Sequence, residues 1–136
     1  MGKTLADLVP YYCDLPFDLD TLVGETFTYI ACDQFTVAFG KAPDDILYYL
    51  AHDQDCCESV YLADICGDIT DLLDKKIIKA EVTTNIDNPP SENAISWTWT
   101  FYTITAEDGS VVTLRWCGES NGYYSEAVDL FKVSED

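Results

Sequence analysis

The sequence predicts an α+β fold, a mostly antiparallel β-sheet with one or two short helices packed on it. Apolar and polar side chains alternate over a strand's length near residue 100. An Asp108-Gly109 pair follows and is typical of a tight hairpin turn. The segment 68–76 carries the capping pattern of a short helix. With 136 residues, 48% of them hydrophobic, the chain is expected to form a single domain, residues 1–136.

Runs rich in β-branched and aromatic residues predict the other strands. The runs before the hairpin are 26–32, 35–40, 45–52, 59–65 and 77–84, and a final one at 123–133 follows the Asn121-Gly122 turn. The polar segment 85–93 contains Pro89 and Pro90, which a central strand does not accommodate. We therefore expect a surface loop between the strand at 77–84 and the hairpin.

The hairpin combines the strand at 95–105 with the one at 111–117. One face of the first strand carries Ile95, Trp97, Trp99 and Phe101, and the other carries Ser96, Thr98, Thr100 and Tyr102. If Asp108-Gly109 forms a two-residue turn, Glu107 pairs with Ser110 and Phe101 lies opposite Trp116. The tryptophans then share a face with Val112 and Leu114. We expect them in the core rather than on a platform for stacking nucleic-acid bases.

The predicted helix at 68–76 follows from its ends and its apolar side. Asp68 is a suitable N-cap, and Asp71 in the first turn complements the helix dipole. Lys75 and Lys76 close the segment, and Ile69, Leu72 and Leu73 would face the sheet. A second short helix is possible at 4–9, in the sequence TLADLV.

The charge balance is strongly acidic. Twenty-five Asp and Glu residues against seven Lys and Arg give a formal net charge of −18. Between Ala42 and Asp74 there is no Lys or Arg. Such a surface repels nucleic-acid phosphates and anionic lipid headgroups, and it attracts basic protein surfaces. The alternative is that the acidity only keeps a small domain in solution.

Cellular location decides how the six cysteines are interpreted. The chain has no run of 18 apolar residues, and Asp7 interrupts the start where a secretory signal would be apolar. We therefore expect a cytoplasmic protein without membrane contact. In a reducing cytoplasm the cysteines are expected as free thiols, buried side chains or metal ligands rather than disulfides.

The segment HDQDCCESV, residues 52–60, is the candidate metal site. Zinc prefers imidazole nitrogen and thiolate sulfur, which His52, Cys56 and Cys57 supply within six residues. Side chains of adjacent residues point to opposite faces of an extended backbone, so one ion needs a kinked chain to reach both cysteines. The candidates for the fourth ligand are Asp53, Asp55, Glu58, Cys66, Cys13 and water. The alternatives are a hydrogen-bonded histidine beside two thiols, or a Cys nucleophile with His52 as base, which the surrounding carboxylates disfavour.

Three separated segments resemble a family of small bacteriophage-encoded proteins classed as a domain of unknown function. They are HDQDCCESV, SWTWTFY and GESNGYYSE, and the resemblance covers roughly residues 45 to 131. It implies a phage or prophage origin, and it adds Glu58 to His52, Cys56 and Cys57 as the expected zinc-binding residues. Some small acidic phage proteins are anti-CRISPR inhibitors of Cas nucleases, so the resemblance makes that role a candidate for this chain.

The expected function is therefore non-enzymatic inhibition of a basic host protein, with the Cas9 nuclease as the expected partner and zinc bracing the fold. The acidic surface would hinder DNA loading by protein–protein contact, without binding nucleic acid directly. The expected contact residues are Asp64, Asp68, Asp71 and Asp74. The rivals are a small metal-dependent hydrolase, with Glu58 or Asp55 as base, and a structural or regulatory phage protein.

Overall fold

Two four-stranded antiparallel sheets form the protein. The computed structural model describes Leu8, residues 16–53 and residues 57–133. The strands are β1 (Tyr29–Cys32), β2 (Thr36–Ala42), β3 (Asp45–Ala51), β4 (Ser59–Cys66), β5 (Ile77–Asn85), β6 (Ser96–Ala106), β7 (Val111–Ser120) and β8 (Asp129–Lys132). The first sheet has the order β1-β2-β3-β8, and the second has the order β4-β7-β6-β5. Every neighbouring pair is antiparallel.

The β6–β7 hairpin forms, but its register differs from the predicted one. The Ala106 N–H donates to the Ser110 carbonyl at 2.8 Å, and the Gly109 N–H donates to the Ala106 carbonyl at 3.0 Å. The loop therefore has three residues, 107–109, with Gly109 in the left-handed region at φ 93°. The extra loop residue places Thr100 opposite Trp116, where the sequence predicted Phe101.

This shift reverses the two faces of β6, because side chains alternate with a period of two along a strand. Tyr102 and Ile104 point into the core together with Trp116. Trp97 and Phe101 are half-buried on the opposite, outer face of the second sheet. The prediction that both tryptophans of β6 share the core face with Trp116 is therefore wrong, although one of them, Trp99, is buried. Trp99 is nevertheless only 7% exposed, because loop and side-chain contacts cover it on that outer face.

A single apolar cluster lies between the sheets. Its members from the first sheet and the residues next to it are Phe27, Val37, Phe39, Tyr48, Leu50, Val128 and Leu130. Its members from the second sheet are Val60, Ile77, Tyr102, Ile104, Ala106, Val112, Leu114 and Trp116. A smaller cluster covers the other face of the first sheet, where Leu8 packs with Tyr49 and Phe131.

The predicted α+β class is wrong, because the described residues contain two short 3-10 turns and no α-helix. The predicted helix at 68–76 is a single turn, Ile69–Leu72. Asp68 does cap it, accepting a hydrogen bond from the Thr70 N–H at 3.0 Å. Leu73 is extended and Asp74 has φ 63°, so the helix cannot continue. The chain enters β5 at Ile77, and this short connection between strands overrides the local helix signals.

Two other predicted elements differ from the structure or lie outside it. The final strand spans only Asp129–Lys132 instead of 123–133, and residues 121–128 precede it as an irregular segment. The possible helix at 4–9 lies outside the described residues apart from Leu8. Among the described residues, no helix has the length and apolar character that crossing a bilayer requires.

Candidate functional site

His52 and Glu58 form a buried pair at the start of the predicted metal site. His52 directly follows β3, and Glu58 directly precedes β4. The His52 Nε2 atom lies 2.8 Å from Glu58 Oε2, and the two side chains are 5% and 0% exposed. The His52 Nδ1–H donates to the Ala127 carbonyl at 2.6 Å. A carbonyl only accepts, so Nδ1 carries a hydrogen.

The structure brings together two of the four predicted zinc ligands, His52 and Glu58. Cys57 is in a disulfide, while Cys56 lies outside the described residues. A disulfide sulfur is not a thiolate, so ligation by Cys57 requires its reduced form. Within the described ranges, no three His, Cys, Asp or Glu residues are grouped to hold an ion. The zinc site stays a prediction about the reduced protein.

The segment 121–128, called the strap, is fixed to the second sheet by the carboxylate of Glu126. Thr98 Oγ1 donates to Glu126 Oε1 at 2.8 Å, and Ser120 Oγ donates to Glu126 Oε2 at 2.5 Å. Both carboxylate oxygens are thus hydrogen-bonded. The strap also approaches the backbone of Gly118 so closely that a Cβ there would meet the Glu126 carbonyl oxygen at 2.5 Å. Glycine is therefore required at position 118.

The next two residues of the strap are held by side chains from opposite sides. His52 binds the Ala127 carbonyl, as described, and the Tyr102 hydroxyl donates to the Val128 carbonyl. Burial raises the pKa of Tyr102 well above its usual range, with a smaller contribution from Asp129. The hydroxyl therefore stays protonated and keeps donating across the physiological pH range.

The strap is where the three sequence segments of the predicted family signature meet. The first segment contributes His52, the second contributes Thr98 and Tyr102, and the third contains Ser120 and Glu126. Each of these side chains is committed to a hydrogen bond that fixes backbone or a buried carboxylate. The geometry explains these residues as a structural network joining the two sheets.

An open cleft of about 460 Å³ lies beside the strap. Its walls are rich in hydroxyl groups, and the lining residues are Val82, Thr84, Ser96, Thr98, Thr100, Tyr102, Gly122, Tyr124, Glu126, Ala127, Val128 and Asp129. Burial raises the pKa of Asp129, although the neighbouring His52 lowers it in part.

The outer face of the second sheet carries aromatic side chains that sequence reasoning placed in the core. The guanidinium carbon of Arg115 lies 4.3 Å from the centre of the Trp99 ring, a cation–π contact. The Trp97 and Trp99 ring N–H groups donate to the carbonyls of Ile86 and Asn88 at 2.8 and 2.9 Å. The predicted loop at 85–93 therefore folds over this face. The three-residue hairpin loop places these side chains on the outer face, and Asp108-Gly109 alone does not reveal that loop length.

A family model matches residues 20–130, which include all three segments that meet at the strap. It is described as a domain of unknown function (DUF7448). The chain belongs to the DUF7448 family. No curated protein matches the chain, and no solved structure matches it. The resemblance to a domain family of unknown function is thereby confirmed.

The acidic residues predicted to contact a partner lie along one region of this DUF7448 domain. Asp64 is in β4, and Asp68, Asp71 and Asp74 are in the connection from β4 to β5; all four are exposed. Hydrogen bonds from the Thr70 hydroxyl and backbone N–H lower the pKa of Asp68. None of the four carboxylates has an ion pair in the part of the chain that the structure describes.

Two free thiols of the DUF7448 domain, Cys32 and Cys117, have a raised pKa and are therefore poor nucleophiles. Burial raises the pKa of the Cys117 thiol, and a hydrogen bond with Tyr61 offsets this only in part. Burial and the adjacent Asp33 raise the pKa of Cys32. A raised pKa leaves less thiolate at neutral pH, so these two positions are suited to packing rather than to covalent catalysis.

Proposed function

We propose that this DUF7448 protein is a non-enzymatic inhibitor that binds a basic, nucleic-acid-handling host protein. In its specific form the proposal is a phage anti-CRISPR protein that acts on Cas9 and hinders DNA loading by protein–protein contact. The observation that carries it is the exposed group Asp64, Asp68, Asp71 and Asp74, whose carboxylates have no ion pair among the described residues. We call this group the acidic patch.

The electrostatic argument begins with the whole chain. A formal charge of −18 on 136 residues produces a negative field that steers basic surfaces towards the protein. The acidic patch lies in the stretch from Ala42 to Asp74, which contains no basic residue of its own, although Arg115 lies opposite Asp64 and Lys75 interacts with Asp71. A channel that normally holds a polyanionic nucleic acid is complementary to such a surface.

The outer face of the second sheet adds residue types that dominate protein interfaces. Arg115 and the half-buried Trp97, Phe101 and Tyr61 lie on the central and neighbouring strands of that sheet. Asp64 is the register partner of Arg115, so the acidic patch begins beside this aromatic face. Trp, Tyr and Arg are over-represented among residues that contribute most to binding, whereas charges at an interface rim mainly set the association rate.

The His52–Glu58 geometry supports a binding role over the alternative of a hydrolase that uses Glu58 as base. The Glu58 carboxylate faces the imidazole at 2.8 Å and is fully buried. A general base needs to reach a water or substrate proton within hydrogen-bond distance. Here the carboxylate is instead part of the network that holds the strap.

The test is a Cas9 cleavage and target-binding assay with increasing amounts of the protein, repeated at low and raised salt. We expect inhibition of both steps, with binding weakened as salt screens the surface charges. Unchanged cleavage and target binding at excess protein would overturn Cas9 as the partner. Affinity indifferent to ionic strength would overturn the electrostatic mechanism for any partner.

A matched pair of charge variants locates the contact. The triple variant Asp64→Asn/Asp71→Asn/Asp74→Asn removes three charges from the acidic patch, and it spares Asp68 because that residue caps the turn. The control Asp44→Asn/Asp45→Asn/Asp87→Asn removes three exposed charges elsewhere. At about 0.5 kcal/mol per exposed charge, we expect roughly tenfold weaker binding from the first variant. Equal weakening by the control would contradict a localised contact.

A further inference from the structure

The edges of the two sheets are protected unequally. In the first sheet, β1 has only four residues, and an isolated bridge from Phe17 to Leu130 covers β8. In the second sheet, the Leu62 N–H of β4 donates to the Gln34 carbonyl at 2.7 Å. A bulge also interrupts the pairing of β4. Short length, bulges and covering segments are the usual ways of preventing a sheet edge from pairing with another chain.

Among the described residues, the first half of the nine-residue strand β5 is covered. The 3-10 turn Leu19–Leu22 lies beside it, and Ala80 is only 7% exposed, so the open part of the edge begins at Val82. Ile77 exchanges hydrogen bonds with the backbone of residues 24 and 25, at 2.7 and 2.9 Å. Further along, Lys79, Glu81 and Thr83 pair with odd-numbered residues of β6. These residues of β6 bond towards β5, because the even-numbered ones bond towards β7, beginning with the Ala106 N–H to the Ser110 carbonyl.

The alternation leaves the N–H and C=O groups of Ala80, Val82 and Thr84 directed away from β6. Among the described residues, no other backbone group pairs with them. Apolar side chains accompany this free edge: Val82 is 49% exposed, Ile78 is 51% exposed, and Ile86, immediately after the strand, is 71% exposed. The edge therefore combines unpaired backbone groups with apolar surface.

β5 itself carries one Lys and one Glu and is neutral, and the two residues that lead into it are basic, so this segment differs from the acidic remainder of the chain. Residues 75–85 contain three of the seven basic residues, Lys75, Lys76 and Lys79, and one acidic residue, Glu81. Three positive charges minus one negative charge leave this segment at +2 in a chain of −18. Two copies that repel each other elsewhere can approach along this strand at the lowest electrostatic cost.

We propose that β5 pairs antiparallel with β5 of a second copy, about a two-fold axis at Val82, to form one continuous eight-stranded sheet. In this register Val82 lies opposite Val82 of the second copy, and Ala80 lies opposite Thr84. Each of these pairs exchanges two backbone hydrogen bonds. Ile78 comes opposite Ile86, and no like charges face each other, since Lys79 meets Asn85 and Glu81 meets Thr83.

The neighbouring registers are less favourable for reasons visible in the fold. An axis at Ala80 brings Thr83 of the second copy to Ile77, whose outward groups are already bonded to residues 24 and 25. An axis at Thr84 extends the pairing into the loop, where Asn88 has φ 49° and Pro89 and Pro90 follow. Of these three axes, the one at Val82 makes the most use of the free part of the edge.

The salt dependence of this dimer is opposite to that of the proposed partner binding. Raising the salt screens the repulsion between two chains of −18, so self-association should strengthen, whereas contact with a basic partner weakens. Failure of one proposal therefore leaves the other standing. Sedimentation equilibrium at low salt and at about 0.5 M salt, where the Debye length is only a few Å, gives the dissociation constant directly.

Two substitutions at the axis test the geometry. Val82→Pro removes an N–H that the monomer does not use, so the fold should persist while the dimer is lost. Val82→Lys places like charges on the axis and should also give a monomer. Ile95→Lys changes a more exposed apolar residue outside β5, 76% against 49% for Val82, and should remain dimeric. A wild-type protein that stays monomeric at high micromolar concentration in both salts, or a dimeric Val82→Pro, would overturn the proposal.

A cysteine at the axis offers a positive test in a Cys32→Ser/Cys66→Ser background, which removes the exposed free thiols of the described residues. Two Val82→Cys residues would lie at the spacing of a hydrogen-bonded pair, about 5.5 Å between Cα atoms, which a disulfide can bridge. Oxidised glutathione then joins the two introduced cysteines in one disulfide bond. The two thiols are oxidised and lose their protons, and the glutathione disulfide is reduced to two glutathione thiols. Val111→Cys, 51% exposed on β7, is the control. Equal cross-linking rates for the Val82→Cys and Val111→Cys variants would show that the disulfide forms by random collision, and this would contradict the proposed dimer.

Discussion

The imidazole of His52 is enclosed by hydrogen bonds from both of its nitrogens, one to the buried carboxyl group of Glu58 and one to the strap. The Nε2–Oε2 distance is 2.8 Å, and the Nδ1 atom lies 2.6 Å from the Ala127 carbonyl oxygen. A single side chain therefore joins the end of β3, the beginning of β4 and the strap.

Removing the carboxyl group should destabilise the protein strongly. We expect Glu58→Ala to lower the free energy of unfolding by about 3 kcal/mol, because it leaves a buried imidazole nitrogen without its partner. Glu58→Gln should cost about 1 kcal/mol, since its amide can donate to Nε2 while Nδ1–H still binds Ala127. Urea unfolding measures both, with the exposed Glu92→Ala as control. Equal losses for Ala and Gln would contradict the assigned hydrogen bond.

Alkaline pH should unfold the protein through Tyr102. Burial raises its pKa in the folded state, so the neutral hydroxyl is favoured there. This stabilisation is fully present below the unfolded-state pKa of about 10, and it is lost as the pH rises further. Unfolding free energies measured from neutral pH upwards should fall less steeply for Tyr102→Phe than for wild type. The Phe variant should also be less stable at neutral pH, because the Val128 carbonyl loses its donor. Parallel alkaline slopes would contradict the role of Tyr102.

The close approach of the strap to β7 should make Gly118 intolerant of a side chain. A Cβ at this position would lie 2.5 Å from the Glu126 carbonyl oxygen, so Gly118→Ala must displace the strap. We expect a loss of about 2 kcal/mol, together with faster hydrogen exchange of the strap amides. Gly122→Ala is the control. The φ angle there is 96°, but no atom would lie within 4 Å of an added Cβ. This substitution should therefore lower the free energy of unfolding by about 1 kcal/mol through backbone strain alone. If the hydrogen exchange of the strap amides is unchanged in Gly118→Ala, the strap does not approach β7 as closely as the structure shows.

Zinc binding should depend on the oxidation state of Cys57. We expect elemental analysis and zinc titration to show metal uptake, with a rise in thermal stability, only after reduction of the Cys57 disulfide. Cys56→Ser and Cys57→Ser should each lower the zinc content, whereas Cys66→Ser should not. No uptake by the reduced wild-type protein, or full uptake by both variants, would remove the cysteines from the ligand set.

Local patterns were enough to predict most of the strands and the hairpin. The register of β6 and β7 could not be predicted, because Asp108-Gly109 is compatible with both a two-residue loop and the observed three-residue loop. Both faces of β6 and β7 contain large side chains, so their hydrophobicity did not reveal the one-residue shift. The helix predicted at 68–76 was wrong for a different reason. Its capping residue is present, but the connection into β5 ends the turn at Leu72.

The candidate site, like the fold, was predicted from the sequence only in part. Residue types drew attention to His52 and Glu58, and the structure confirms that they lie together. The attachment of His52 to Ala127 depends on a contact between residues 75 positions apart, which spacing along a chain does not encode. The exposed edge of β5 is also invisible in its sequence, since the order of strands in a sheet decides which of them is last.

The sequence by itself determined the acidity of this protein, the antiparallel strands and the residues of its three family segments, because composition and short-range periodicity follow directly from the order of side chains. Only the tertiary structure decided which face of β6 is buried, what His52 binds and which strand edge stays free. Those features depend on register and on long-range packing, and a shift of one residue in a strand exchanges every inward side chain for an outward one.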